Sequence, residues 1–392
     1  MKIRFLLFIF LITTVIGANA QSDYLIVDGN IRLPKDSILQ TKLVKNLDSF
    51  LYSIKKNEKI EDWLLPEEKC ETQILIDGIK SFTTNNALEV KPHLINLEML
   101  DDKKSYSVQV AYISYQNSSS SLKAIFEFIV HKNGSDFLIS SPLRRYTREW
   151  RTKTAGHLIF HYQNNLVENV IDQYVRIVND YDRKLGISKT TEYYFCDNCE
   201  ETTSLLRLVG MQYNVNYNGY SWPMVDFHSD EKIIAIYNQD RSRKEFVDPH
   251  DIFHGRANIV IPSNVRNYYM ICGCAYIYGG TWNGTWRVNW SEIQKRFKET
   301  LFKDRNVDWL RLYFERYNFG ESEDQPILVT QFINALIIQK VEKEKGYSNV
   351  MKLFASGNMY KNRDTFFKIL EDVTGINEAN FNEKIEEIIR DL

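Results

Sequence analysis

From Ile38 to Tyr52 the apolar residues Leu39, Leu43, Leu47, Phe50 and Leu51 recur at the spacing of one helical face. A second short helix is expected around Ile74 to Phe82. The period then changes to two: Tyr106, Val108, Val110 and Tyr112 alternate, Leu122 to His131 is rich in strand formers, and Phe137-Leu138-Ile139 closes the series. Asn117 with the serines after it, and Asn133-Gly134, supply turns. Helices followed by an antiparallel meander make an α+β module.

Near Thr147 to Arg151 the pattern resets, which places a domain boundary there. A strand over 157–162 leads into a helix with Leu166, Val170, Ile171, Tyr174, Val178, Tyr181 and Leu185 on one stripe, stopped by Gly186. A strand over 192–195 precedes Cys196 and Cys199, with a helix over 200–209, and Ile233 to Tyr237 reads as another strand. Almost everything after Ser291 reads as helix. Phe366, Ile369, Leu370 and Val373 repeat at i, i+3, i+4 and i+7, and Phe381, Ile385, Ile388 and Ile389 do much the same.

The 392 residues are enough for two domains. Lys2 and Arg4, the apolar run from Phe5 to Ile16 and Ala18-Asn19-Ala20 make residues 1–20 a secretory signal peptide, and no later segment is long and apolar enough to span a bilayer. Export to the periplasm or beyond is expected, where disulfides are permitted. The formal charge is −2, and losing Lys2 and Arg4 with no acid takes it to −4, which gives no electrostatic case for nucleic acid.

The chemistry concentrates at His250-Asp251-Ile252-Phe253-His254. Two His four residues apart point the same way from a helix, as in H-E-x-x-H, where both bind Zn²⁺ and the Glu takes a proton from the metal-bound water. Here the base position holds Asp251. Asp248 and Pro249 suit the N-cap and first helical turn, so Asp251 falls at the third position, where an acid also serves the helix N-terminus by capping and the macrodipole.

Downstream, Ile271-Cys272-Gly273-Cys274-Ala275-Tyr276-Ile277-Tyr278-Gly279-Gly280 resembles the gluzincin segment N-E-G-x-A-x-Y-x-G-G, whose Glu is the third zinc ligand. Cys272 stands in its place, 18 positions after His254. The strand–helix–strand pattern over 157–195, the short helix ending in Gly210, the Phe332 to Ile337 segment and the Phe366 to Gly375 segment also look like the peptidase MA-like family. The resemblance covers about residues 150–392. The pattern over 21–147 looks like the NTF2-like cone fold. The expected architecture is therefore an NTF2-like accessory domain over 21–147, then a gluzincin-like α+β domain over 148–392 with a helical C-terminal part.

The resemblance implies zinc as cofactor, with His250, His254 and Cys272 as ligands and Asp251 as base. The departures fall on the chemistry. An Asp carboxylate stops about one C–C bond short of a Glu carboxylate, and a base must come within about 2.6–3.2 Å of its proton donor. Cys thiolate is itself a zinc ligand, and Cys is also a commonly buried core residue. The expectation is a protein with little or no peptidase activity that binds a peptide or protein in the relic cleft. An active zinc metallopeptidase is the alternative.

Cys196-x-x-Cys199 in an exported chain suggests a local disulfide; it also imitates the thioredoxin redox motif, or half of a Cys₄ zinc site completed by Cys272 and Cys274. Trp282, Trp286 and Trp290 with Tyr276 and Tyr278 would either pack behind the ligand helix or form a platform for sugars or peptides.

Overall fold

The computed structural model describes residues 24–85, 89–116, 119–134, 136–163, 165–211, 224–229, 231–238, 247–283, 286–301 and 307–392. The signal peptide expected over 1–20, the start of the turn at Asn117 and the side chain of Leu166 lie outside the described residues. By internal contacts the described chain forms two compact units, 24–148 with 205–211, and 149–204 with 224–392. Each has its own hydrophobic core, and the whole is mixed α+β.

The first unit is a five-stranded sheet in sequential order: β1 (Ile26–Val27), β2 (Val90–Met99), β3 (Ser105–Gln116), β4 (Ser119–Asn133) and β5 (Asp136–Ser140). Its pairings are antiparallel except the short parallel start, β1 on β2. The helix Ser37–Lys56 begins at Asp36, whose carboxylate accepts from the Ile38 and Leu39 amides, and ends at Asn57 in the left-handed region. Its stripe of Leu43, Leu47, Phe50, Leu51 and Ile54 is buried in one core with Val108, Val110 and Tyr112 of β3 and Phe126 and Phe128 of β4. Strand β2 escapes the period-two pattern because Pro92, His93 and Asn96 interrupt it and the register slips between Leu94 and Asn96. Pro92 is tolerated because β1 pairs only with His93 and Leu94, so no ladder bond is asked of its missing N–H on that side.

The second unit carries β6 (Arg151–Ala155), β7 (Leu158–Tyr162), β8 (Thr190–Cys196), β9 (Met224–His228) and β10 (Lys232–Asn238), in the order β6-β7-β8-β10-β9. The central pairings β7/β8 and β8/β10 are parallel, and both outer strands run antiparallel to their neighbours. Leu158, Phe160, Tyr193, Phe195, Ile233 and Ala235 share a core with Ile171, Tyr174, Val178 and Tyr181 of the helix Asn165–Leu185. The opposite face of the central strands is buried as well, at Tyr194, Cys196, Ile234 and Ile236. That two-sided burial is why these strands read as near-continuous apolar runs.

The rest of this unit is helical apart from a two-stranded hairpin, β11 (Thr281–Asn283) and β12 (Trp286–Val288). The helix Val329–Lys345 is apolar almost all round, buried at Val329, Phe332, Ile333, Leu336, Ile337 and Ile338, and it packs on the helix Tyr268–Gly279.

Candidate functional site

The helix Pro249–Val260 starts where capping chemistry places it. Asp248 accepts from the His250 amide at 2.9 Å, and Pro249 occupies the first turn. The cap is itself clamped: Arg287 Nη2 donates to Asp248 Oδ1 at 2.6 Å, and Trp282 Nε1 donates to Oδ2 at 2.9 Å. Two turns on, Arg256 is buried and donates through Nε and Nη2 to both carboxylate oxygens of Asp182, at 2.6 and 2.7 Å. Its Nη1 donates to Thr191 Oγ1 and Tyr193 OH. The helix is therefore locked to the helix Asn165–Leu185 and to β8 by a satisfied, bidentate ion pair.

His250 and His254 share one face, with ring centroids 4.9 Å apart. His250 Nδ1 donates to the Gly280 carbonyl at 2.6 Å, which fixes the orientation of the ring. His254 Nε2 faces Cys272 Sγ at 3.4 Å, and its ring stacks on Tyr268 at 5.3 Å. Cys272 is buried on the helix Tyr268–Gly279, while Asp251 is half-buried near enough for its charge to act on both Cys272 and Tyr268. Burial pushes the Cys272 thiol up to about 12, with contacts to Tyr268 and Gln331 opposing it. Burial, then the neighbouring His250, holds His254 well below the usual imidazole range. The pair is thus a neutral thiol beside a neutral imidazole.

Of the four residues singled out by sequence, His254 meets both His250 and Cys272, while Asp251 comes near enough only for its charge to act on Cys272. The fit to zinc is partial. The 3.4 Å between Nε2 and Sγ is close to the edge of a tetrahedron with about 2.0–2.1 Å Zn–N and about 2.3 Å Zn–S bonds, about 3.5 Å. Yet no group of three or more His, Cys, Asp or Glu among the described residues is placed to hold a metal ion. Two donors meet, and a catalytic zinc site uses three.

The cysteines of the other motif part company. Cys196 and Cys199 are both thiols, with no disulfide between them, contrary to expectation. Cys196 closes β8 with its Sγ turned into the interior, 3.9 Å from the Tyr194 carbonyl, whereas Cys199 opens the next helix, half-buried. Burial drives the Cys196 thiol strongly upward, opposite to what thiol–disulfide exchange requires. Cys274 turns to Tyr347 OH at 3.8 Å, away from the partner of Cys272, so the two do not act as a zinc knuckle. The aromatic run divides. Tyr276 donates to Gln331, Tyr278 packs on Tyr181 and Phe253, and Trp290 on Phe332, while Trp286 stays about half exposed.

Sequence reasoning missed Tyr268, Gln331 and Arg256. An arginine two residues after the second His, on a helix with an apolar face, was the one visible signal. A cavity of about 770 Å³ borders the start of the helix, lined among others by Val170, Val247, Pro249, Gly280, Arg287 and Trp290. Comparison of the chain with protein-family models gives no match, and none of the curated proteins matches it.

Proposed function

We propose that residues 148–392 are a gluzincin-like domain that has lost efficient hydrolysis and binds a peptide or protein in its cleft. Residues 21–147 serve it as an NTF2-like accessory domain, and residues 1–20 direct the protein to the periplasm or out of the cell. One observation carries the reading: His254 meets the thiol of Cys272 at 3.4 Å where the resemblance calls for a ligand carboxylate, beside an aspartate where it calls for a glutamate.

Hydrolysis needs a base that reaches the attacking water, and the loss of a general base typically forfeits about 10²–10⁴ in rate. Asp251 is shorter by one methylene on a helix that Asp248 and Arg256 hold in place, so the helix does not slide to compensate. Binding asks less. Strand β9 lies at the sheet edge, antiparallel to β10, and packs against the Pro249–Val260 helix. A peptide added along such an edge gains main-chain hydrogen bonds near the helix that carries the histidines.

The test is a purified sample assayed for zinc and for cleavage of casein and a fluorogenic peptide library. The expected result is less than one zinc per chain and no chelator-sensitive cleavage. Stoichiometric zinc with cleavage abolished by chelator and by His254→Ala would establish an active metallopeptidase instead.

A further inference from the structure

Tyr268 begins the second site helix, stacks on His254 and is 57% exposed. From it a ladder of rings runs outward: Tyr268 to Tyr269 at 5.8 Å, Tyr269 to Tyr360 at 5.0 Å, and Tyr360 to Phe314 at 5.9 Å. Tyr360 is 40% exposed, so the ladder forms an open aromatic shelf beginning at the candidate site.

Two guanidinium groups lie on it. Arg363 sits 4.0 Å over Phe314 and is neutralised by Glu378 at 2.7 Å. Arg316 lies 5.4 Å over Tyr269, is exposed, and has no carboxylate partner among the described residues. Its charge reaches the Cys272 thiol. Its backbone is unusual too. Arg316 has φ 55° just after the helix Trp309–Phe314, and the Tyr317 amide bonds back to the Leu312 carbonyl at 3.1 Å. That is the left-handed C′ position of a Schellman stop, which glycine fills without steric cost. An arginine there adopts a backbone conformation that is costly relative to glycine.

We infer that Arg316 and the Tyr268, Tyr269 and Tyr360 rings recognise the free C-terminal carboxylate of the bound peptide, with its last side chain laid on the rings. A guanidinium presents a planar fork that takes a carboxylate through two parallel N–H bonds, and the ring faces accept an apolar or aromatic side chain. The unneutralised charge supplies the complementarity, and the stacking of Tyr268 on His254 puts the shelf at the cleft. This deepens the peptide-binding reading above and rests on it.

The test uses the whole protein, immobilised, with two random pentapeptide pools that differ only in a free or an amidated C-terminus, and mass spectrometry of what is retained. Arg316→Gly suits the control because it relieves the left-handed strain and keeps the fold. The wild type should retain free-acid peptides about tenfold over amides, the scale of one charge-assisted pair, and Arg316→Gly should lose the preference while still retaining peptide. Equal retention of both pools by the wild type, an unchanged preference in Arg316→Gly, or retention lost from both pools in that variant would each overturn carboxylate recognition and leave peptide binding standing. Retention of neither pool by the wild type would overturn the peptide-binding reading and this inference together.

Discussion

A methyl group at Gly273 would lie 2.7 Å from Asn334 Cβ and 2.8 Å from the Ala335 amide nitrogen, and one at Gly279 would lie 2.2 Å from the His250 amide nitrogen. These two glycines let the helix Tyr268–Gly279 touch the backbones of its neighbours on both sides, which is what brings Cys272 up to His254. Gly273→Ala is expected to lower the unfolding free energy by about 1–3 kcal/mol, the usual cost of overpacking, measured by urea denaturation. Asp251 behaves differently. Restoring reach with Asp251→Glu alone should leave hydrolysis at background even with added zinc, because the group opposite His254 is still the thiol of Cys272 and only two donors meet there. A chelator-sensitive peptidase rate in that variant would show that the ligand set was complete all along.

At the scale of elements, the site depends on one helix being held at its start and in its body. Asp248 gathers Arg287, Trp282 and the His250 amide at its start, and Arg256 binds Asp182 in its body. His157 Nε2 also contacts Asp182, at 2.8 Å, so that carboxylate ties β7's approach, one long helix and the histidine helix together. Removing one partner of a buried ion pair typically costs about 3–5 kcal/mol, because the other charge is left unpaired. Asp182→Asn should show a loss on that scale in urea melts. The double variant Asp182→Leu/Arg256→Met should lose much less than the sum of its singles, since it leaves no orphaned charge. Additive losses would mean that the pair is not coupled.

For the molecule as a whole, pH exposes another buried charge. Glu192 on β8 pairs with Lys232 on β10 at 2.8 Å, and both are buried. Burial raises its pKa, but His161 and Lys232 outweigh this and hold it at about 2, below the usual 4.5. His161 stands 3.7 Å away, beyond hydrogen-bond reach, so Lys232 is the stronger partner. A carboxyl depressed in the folded state contributes stability that is complete above its unfolded pKa, about 4.5, and is lost as pH falls toward 2. The expected loss is on the order of 3 kcal/mol or less, read from urea melts taken between pH 6 and about 2. Glu192→Gln should flatten that part of the profile and be less stable at neutral pH, with Lys232 left buried and unpaired. An unchanged acid limb would show that Glu192 titrates normally.

The chain's own periodicity was enough for what depends on neighbours a few residues apart. Asp248 and Pro249 start the histidine helix, and i, i+4 spacing alone puts His250 and His254 on one face. Alternation revealed β3 and β4, because each has one buried face. It missed β2, where Pro92 and a register slip break the pattern, and β9, an outer strand carrying Asp226 and His228. Tertiary packing decided what no local spacing encodes: that Cys196 is buried at the end of β8 while Cys199 is only half-buried, that an arginine two residues past His254 is buried against Asp182, and that Arg316 lies on a tyrosine shelf leading to the histidines. Those outcomes turn on which surfaces meet when distant segments pack, and on what burial does to a charge or a thiol once water is gone.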